Sequence, residues 1–148
     1  MYKKILIATD GSKLAIKAER AGLELAKVLN ADAILVTVTE RWPLVETAAQ
    51  AEMGVKDPIG HYHVLAEKGA QATLAAAANV AVEVGVGCEQ VHVRDQHPAG
   101  GILDTAAVKK ADLIVVASHG RRGLNKLLLG SVANEVVSGS KIPVLVVK

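Results

Sequence analysis

The segment Ala117-Ser118-His119-Gly120-Arg121-Arg122-Gly123-Leu124-Asn125-Lys126-Leu127-Leu128-Leu129-Gly130-Ser131 is the part of this sequence best equipped to hold an anion. Arg121, Arg122 and Lys126 are cationic, His119 can become so, and no Asp or Glu occurs between Leu113 and Asn134. Gly120, Gly123 and Gly130 let backbone amides approach a ligand, and Gly130-Ser131 opens a helix whose first N–H groups favour phosphate. A helix end alone contributes about 0.3 to 1 kcal/mol per charge, whereas micromolar binding needs about 8 kcal/mol. Several amides, the Ser131 hydroxyl and a buried base would have to act together. The competing reading is a solvated basic loop with turn glycines.

A second segment, Thr9-Asp10-Gly11-Ser12, follows the first apolar run. Asp10 could accept hydrogen bonds from ligand hydroxyls such as those of a ribose; alternatively it only satisfies loop and helix-end amides. The remaining chemistry is sparse. His61 and His63 flank Tyr62, but Asp57 is the only close carboxylate and no Cys is near, so solvated loop histidines are the plainer reading than a metal pair. His119 could contact phosphate or assist a water, yet no general base stands beside it. His97, before Pro98, belongs to the start of a helix and the cleft rim. A lone Cys88 forms no intramolecular disulfide. The sequence has no G-x-x-x-x-G-K-[ST], no G-x-G-x-x-G after the first run and no G-x-S-x-G, so no catalytic or metal-ligating set is assigned.

These segments need elements to position them. Four runs rich in β-branched residues read as buried strands: KKILIAT at 3–9, AILVTV at 33–38, DLIVVA at 112–117 and IPVLVV at 142–147. Their near-continuous apolarity suits a parallel sheet covered on both faces. A weaker, alternating run from Glu89 to Val93 suits an edge strand. Between them, residues 13–29 read as a helix capped by Ser12, with Leu14, Ala18, Ala21, Leu25 and Val28 on the sheet side and Lys13, Lys17, Arg20, Glu24 and Lys27 opposite. An Ala-rich helix at 64–84 closes at Gly85, another runs from Pro98 to Lys109-Lys110, and a last one from Ser131 to Gly139. Residues 39–60, with Trp42-Pro43, Gly54, Asp57-Pro58 and Gly60, read as a mobile connection. Alternating strands and helices predict an α/β fold: one domain, residues 1–148, with a doubly wound five-stranded parallel sheet and helices on both faces. Ligands of such sheets bind at the carboxyl ends of the strands, where strand order reverses.

Composition excludes other classes. Of 148 residues 51% are hydrophobic but only 2% aromatic (Trp42, Tyr2 and Tyr62), so base-stacking recognition of single-stranded nucleic acid has almost nothing to use. The apolar mass is aliphatic, with 24 Ala and 21 Val. Lys and Arg number 17 against 15 Asp and Glu, which excludes a disordered or polyanion-coating chain. No apolar run approaches the roughly 20 residues that span a bilayer, and the run after Lys3 and Lys4 is too short for a signal peptide. The expectation is a cytoplasmic protein with neither nucleic-acid nor membrane partners.

The segment from Ala117 resembles the signature of the universal stress protein (UspA-type) family, G-x2-G-x9-G-[ST], aligned on Ala117, Gly120, Gly130 and Ser131. The opening YKKILIATDGS, HPAGGIL at 97–103 and the ending KIPVLVVK are similar to that family as well, so the likeness covers nearly the whole chain. It implies a Rossmann-like, adenine-nucleotide alpha-hydrolase-like fold and, in the ATP-binding branch, a cleft for ATP or AMP, with Mg²⁺ as a candidate companion of the triphosphate. The implied nucleotide-binding residues are Asp10 beside the nucleoside, Val38 against adenine, and Ala117, Gly120, Arg121, Gly130, Ser131 and Val132 around ribose and phosphates. Ala117 departs from the signature: its methyl is compatible with φ below zero and clashes if the turn needs φ above zero. A Val at position 130 is expected to fill the phosphate position and leave the fold intact. The family likeness also implies a homodimer paired through the last strand, whose ends are Ile142 and Val147, and a role as a stress-response regulator. A dimeric interaction scaffold that binds no nucleotide, or a slow ATP hydrolase using His119, are the alternatives.

Overall fold

A computed structural model describes residues 1–121 and 128–148. Its strands are β1 (Lys4–Ala8), β2 (Asp32–Val38), β3 (Cys88–Val93), β4 (Leu113–Ala117) and β5 (Val144–Val147), and its helices are α1 (Lys13–Leu29), α2 (Leu44–Glu52), α3 (Pro58–Val84), α4 (Pro98–Lys109) and α5 (Ser131–Gly139). The strands form one sheet in the order β3-β2-β1-β4-β5, and all four pairings are parallel. In the centre, Ile7 lies opposite Leu35 on one side and Val115 on the other.

Alternate residues of the central strands serve two cores. Ile5, Ile7, Leu35 and Val115 pack with α1 and α3, while Leu6, Ile34, Val36 and Val116 pack with α4 and α5. Burying each such side chain contributes about 1.5 to 3 kcal/mol, which is why these strands read as unbroken apolar runs. The expected edge strand is indeed at an edge, since β3 pairs only with β2.

Two expectations change. The row of α1 that meets the sheet is Ala15, Ala18, Glu19, Gly22, Leu23 and Ala26, whereas Val28 is exposed. The helix lies too close to β1 for large side chains: a Cβ on Gly22 would stand 2.8 Å from the Ile7 side chain. Leu14, Ala21 and Leu25 flank that row half-buried. Residues 39–60, read above as a connection, contain α2 and the start of α3. The Ala- and Glu-containing stretch after Pro43 has good helix propensity. Asp57 accepts the Gly60 amide at 3.1 Å with Pro58 in the first turn, so the Asp-Pro-Gly cluster starts a helix rather than breaking one. Among the described residues no helix is long and apolar enough to cross a membrane.

Candidate functional site

Strand order reverses between β1 and β4. The chain leaves β1 onto α1 on one face and leaves β4 toward α5 on the other, and ligands of such sheets bind at this switch point. The loop after β1 is locked to the loop after β4. Asp10 Oδ1 accepts the Ser12 amide at 2.9 Å, and Asp10 Oδ2 accepts the Arg121 amide at 2.9 Å. Arg121 Nε in turn donates to the Asp10 carbonyl at 2.8 Å. A Cβ on Gly120 would sit 2.7 Å from Asp10 Oδ2, so glycine is required there by close approach, not by a left-handed backbone. Each carboxylate oxygen of Asp10 thus satisfies a loop amide, and of the roughly four acceptor sites of a carboxylate these amides use two.

The second signature glycine pair lies against the same loop. Gly130 donates its amide to the Ser118 carbonyl at 2.7 Å and is the N-cap of α5. Its carbonyl accepts the Asn134 amide, and no side chain caps this helix. The amides of Ser131, Val132 and Ala133 are thus the unpaired first-turn donors that suit an anion. The expected effect of Val at position 130 needs correction. A Cβ there would point at the Ser118 carbonyl, 3.1 Å away, and at His119 Cα, 3.3 Å away, so a larger side chain pushes the two ends of the β4–α5 connection apart.

Ala117 is the last residue of β4, opposite Val147, and is not among the residues with positive φ. Its methyl joins the core beneath α1 and α3. The strand therefore accepts alanine where the signature has glycine. Val38 ends β2, one strand beyond Asp10, and is half-buried. Gly101 of α4 lies so close behind it that a Cβ would meet both Val38 methyls at 2.9 Å.

Other expected groups are dispersed. Arg122, Gly123 and Lys126 lie outside the described residues. His119 Nδ1 is 3.1 Å from the hydroxyl of its neighbour Ser118. His97 bonds Glu135 at 2.8 Å on the rim between α4 and α5. His63 packs edge-on against Trp42 and lies 4.0 Å from Asp95. A pocket of about 240 Å³ opens at the ends of β2 and β3, walled by Thr39, Tyr62, His63, Glu67, His92 and Arg94. There the hydrogen bond from Arg94 holds the Glu67 carboxyl below its ordinary range. Among the described residues no three His, Cys, Asp or Glu side chains are grouped to hold a metal.

Sequence reading missed Glu19. This carboxyl is 2% exposed on the sheet side of α1 and accepts the hydroxyl of Thr9. Burial raises its pKa above the ordinary glutamate value, and the charge of Asp10 adds to the rise. The available signal was its helical spacing: Glu19 is four residues from Ala15, on the row of small residues.

A doubly wound parallel sheet whose β1 and β4 loops meet at the switch point defines an α/β protein of the Rossmann-like kind. The universal stress protein family model matches residues 1–148. Universal stress protein MJ0531 of Methanocaldococcus jannaschii is 36% identical over 150 residues, spanning 100% of this chain and 83% of its own length. The solved structure of the hypothetical protein MJ0577 superposes with a TM-score of 0.79 at 30% identity, covering 100% of this chain and 96% of that one. A universal stress protein crystallised in complex with cAMP gives a TM-score of 0.72 at 25% identity, covering 98% and 95%. The chain belongs to the universal stress protein family.

Proposed function

We propose that this protein binds an adenine nucleotide, ATP or AMP, in the crevice between the β1 and β4 loops, and that it works in the cytoplasm as a dimeric stress-response regulator. The observation that carries the reading is the junction at Asp10. One carboxylate, with acceptor sites to spare for a ribose, is fixed beside an acid-free segment that ends at the uncapped amino terminus of α5. Phosphates would lie on the amides of Ser131 and Val132 and take the Ser131 hydroxyl. Adenine would rest against Val38, an aliphatic wall in a chain with few aromatic rings. The 25%-identical relative solved with cAMP supports this ligand class. For the dimer, β5 is the last strand of the sheet and pairs, among the described residues, only with β4. Pro143 and Val147 turn their carbonyls to β4, so Val144 and Val146 direct their backbone groups outward.

Calorimetric titration of the folded protein with ATP and AMP tests the nucleotide reading. Saturable heat with a micromolar to sub-millimolar midpoint is expected. No heat at millimolar nucleotide refutes it.

A further inference from the structure

We infer that Glu19 is a positioning residue for the ligand loop, setting the turn that carries Asp10 through the hydroxyl of Thr9. The inference rests on reading the crevice as an adenine-nucleotide site. Glu19 stands on α1 among Ala15, Ala18, Gly22 and Leu23, where an apolar side chain would pack without desolvation cost. A carboxyl held in such a row weakens the helix–sheet contact unless it does something there.

Its partner is on the loop. Thr9, itself 6% exposed, donates its hydroxyl proton to Glu19 Oε1. With that proton committed, Thr9 Oγ1 presents its lone pairs elsewhere, and the Gly11 amide donates to it at 3.2 Å. Gly11 has φ +77, the left-handed conformation that turns the chain from β1 into α1. Between Thr9 and Gly11 lies Asp10, whose two oxygens must meet the Ser12 and Arg121 amides at once. The chain of bonds from Glu19 to Thr9 to Gly11 thus fixes both flanks of Asp10 from below. Thr73 of α3 closes the turn from outside, since a Cβ on Gly11 would stand 3.2 Å from its hydroxyl. Glu19 touches no ligand position and acts through Thr9.

Wild type, Glu19→Leu, Glu19→Gln and Thr9→Val are compared in ATP affinity, in melting temperature without nucleotide, and in the ¹H–¹⁵N shift and exchange rate of the Gly11 amide. Glu19→Leu is expected to melt at or above the wild-type temperature, because an apolar group replaces a buried carboxyl. It should nevertheless lose ATP affinity by about tenfold and exchange the Gly11 amide about tenfold faster. Glu19→Gln keeps an oxygen that accepts the Thr9 hydroxyl, so its affinity should stay within about threefold of wild type. Thr9→Val should match Glu19→Leu in affinity and exchange, but it also removes the Gly11 acceptor, so Glu19→Met, apolar and unbranched, decides the matter if Glu19→Leu does not fold. Unchanged ATP affinity and Gly11 exchange in Glu19→Leu or Thr9→Val overturn the role of Glu19, as does equal loss in Glu19→Gln and Glu19→Leu. If wild type gives no heat with ATP, the nucleotide reading falls instead, and the Gly11 amide still decides whether Glu19 sets the turn.

Discussion

Asp10 and Arg121 lie 111 positions apart and hold each other twice: the Arg121 amide donates to the Asp10 carboxylate, and the Arg121 guanidinium donates to the Asp10 carbonyl. This reciprocal pair ties the loop after β1 to the loop after β4 at the point where the sheet reverses.

Gly120 leaves the space that this pair fills. In Gly120→Ala the new methyl meets Asp10 Oδ2 at a separation no real contact tolerates, so Asp10 must give up the Arg121 amide. Losing one charge-assisted hydrogen bond costs about 1.5 to 3 kcal/mol, and a fall in melting temperature together with at least about tenfold weaker ATP binding is expected. Calorimetry and thermal melting check both, and wild-type affinity in this variant separates the pair from the site.

Gly101 supports the proposed adenine wall from behind. In Gly101→Ala the new methyl would stand 2.9 Å from both Val38 methyls and 3.3 Å from Val93, so Val38 must shift. ATP affinity should fall several-fold while affinity for inorganic triphosphate stays level, as the phosphate amides on α5 are untouched. Equal loss for both ligands would place Val38 away from the base.

Glu19 makes stability depend on pH in a direction opposite to that of a salt-bridged acid. Burial raises its pKa in the folded protein above the ordinary 4.5. The folded state therefore holds a proton that the unfolded chain has released, and stability declines as pH rises from 4.5 through the folded value. Glu19→Gln has no such proton. Melting temperatures measured from pH 4.5 to 8 should show the variant gaining on wild type toward neutrality, and parallel curves would contradict the raised pKa.

The outward edge of β5 can be tested without disturbing its inner edge. Val146→Pro removes an N–H that points away from β4, a place where an edge strand tolerates proline. Sedimentation should show a dimer for wild type and a monomer of unchanged circular dichroism for the variant. A variant that stays dimeric moves the interface elsewhere.

Much of this architecture is written locally in the chain. The strand runs at 3–9, 33–38 and 112–117 can be read because residues buried on both faces must all be apolar, and Ser12, Pro98 and Gly85 mark helix ends through backbone groups that only nearby residues satisfy. At residues 39–60 a cluster of Asp57, Pro58 and Gly60 serves equally to break a chain or to begin a helix, and the difference lies in whether Asp57 reaches the Gly60 amide. The glycine spacing and the acid-free segment from Leu113 to Asn134 are legible for the same local reason.

What each glycine is for, by contrast, is a tertiary matter. Neither Gly120 nor Gly130 has a positive φ. Each is small because another group, Asp10 Oδ2 at 2.7 Å or the Ser118 carbonyl at 3.1 Å, crowds the place of its Cβ. The same holds for Ala117, which is admissible because β4 is still an ordinary strand at that residue, and for Glu19, an acid in an apolar row whose purpose appears only when β1 brings the Thr9 hydroxyl against it. Periodicity and composition report what a residue does to its own segment. Contacts between segments depend on strand order, and strand order is settled by the packing of the whole sheet.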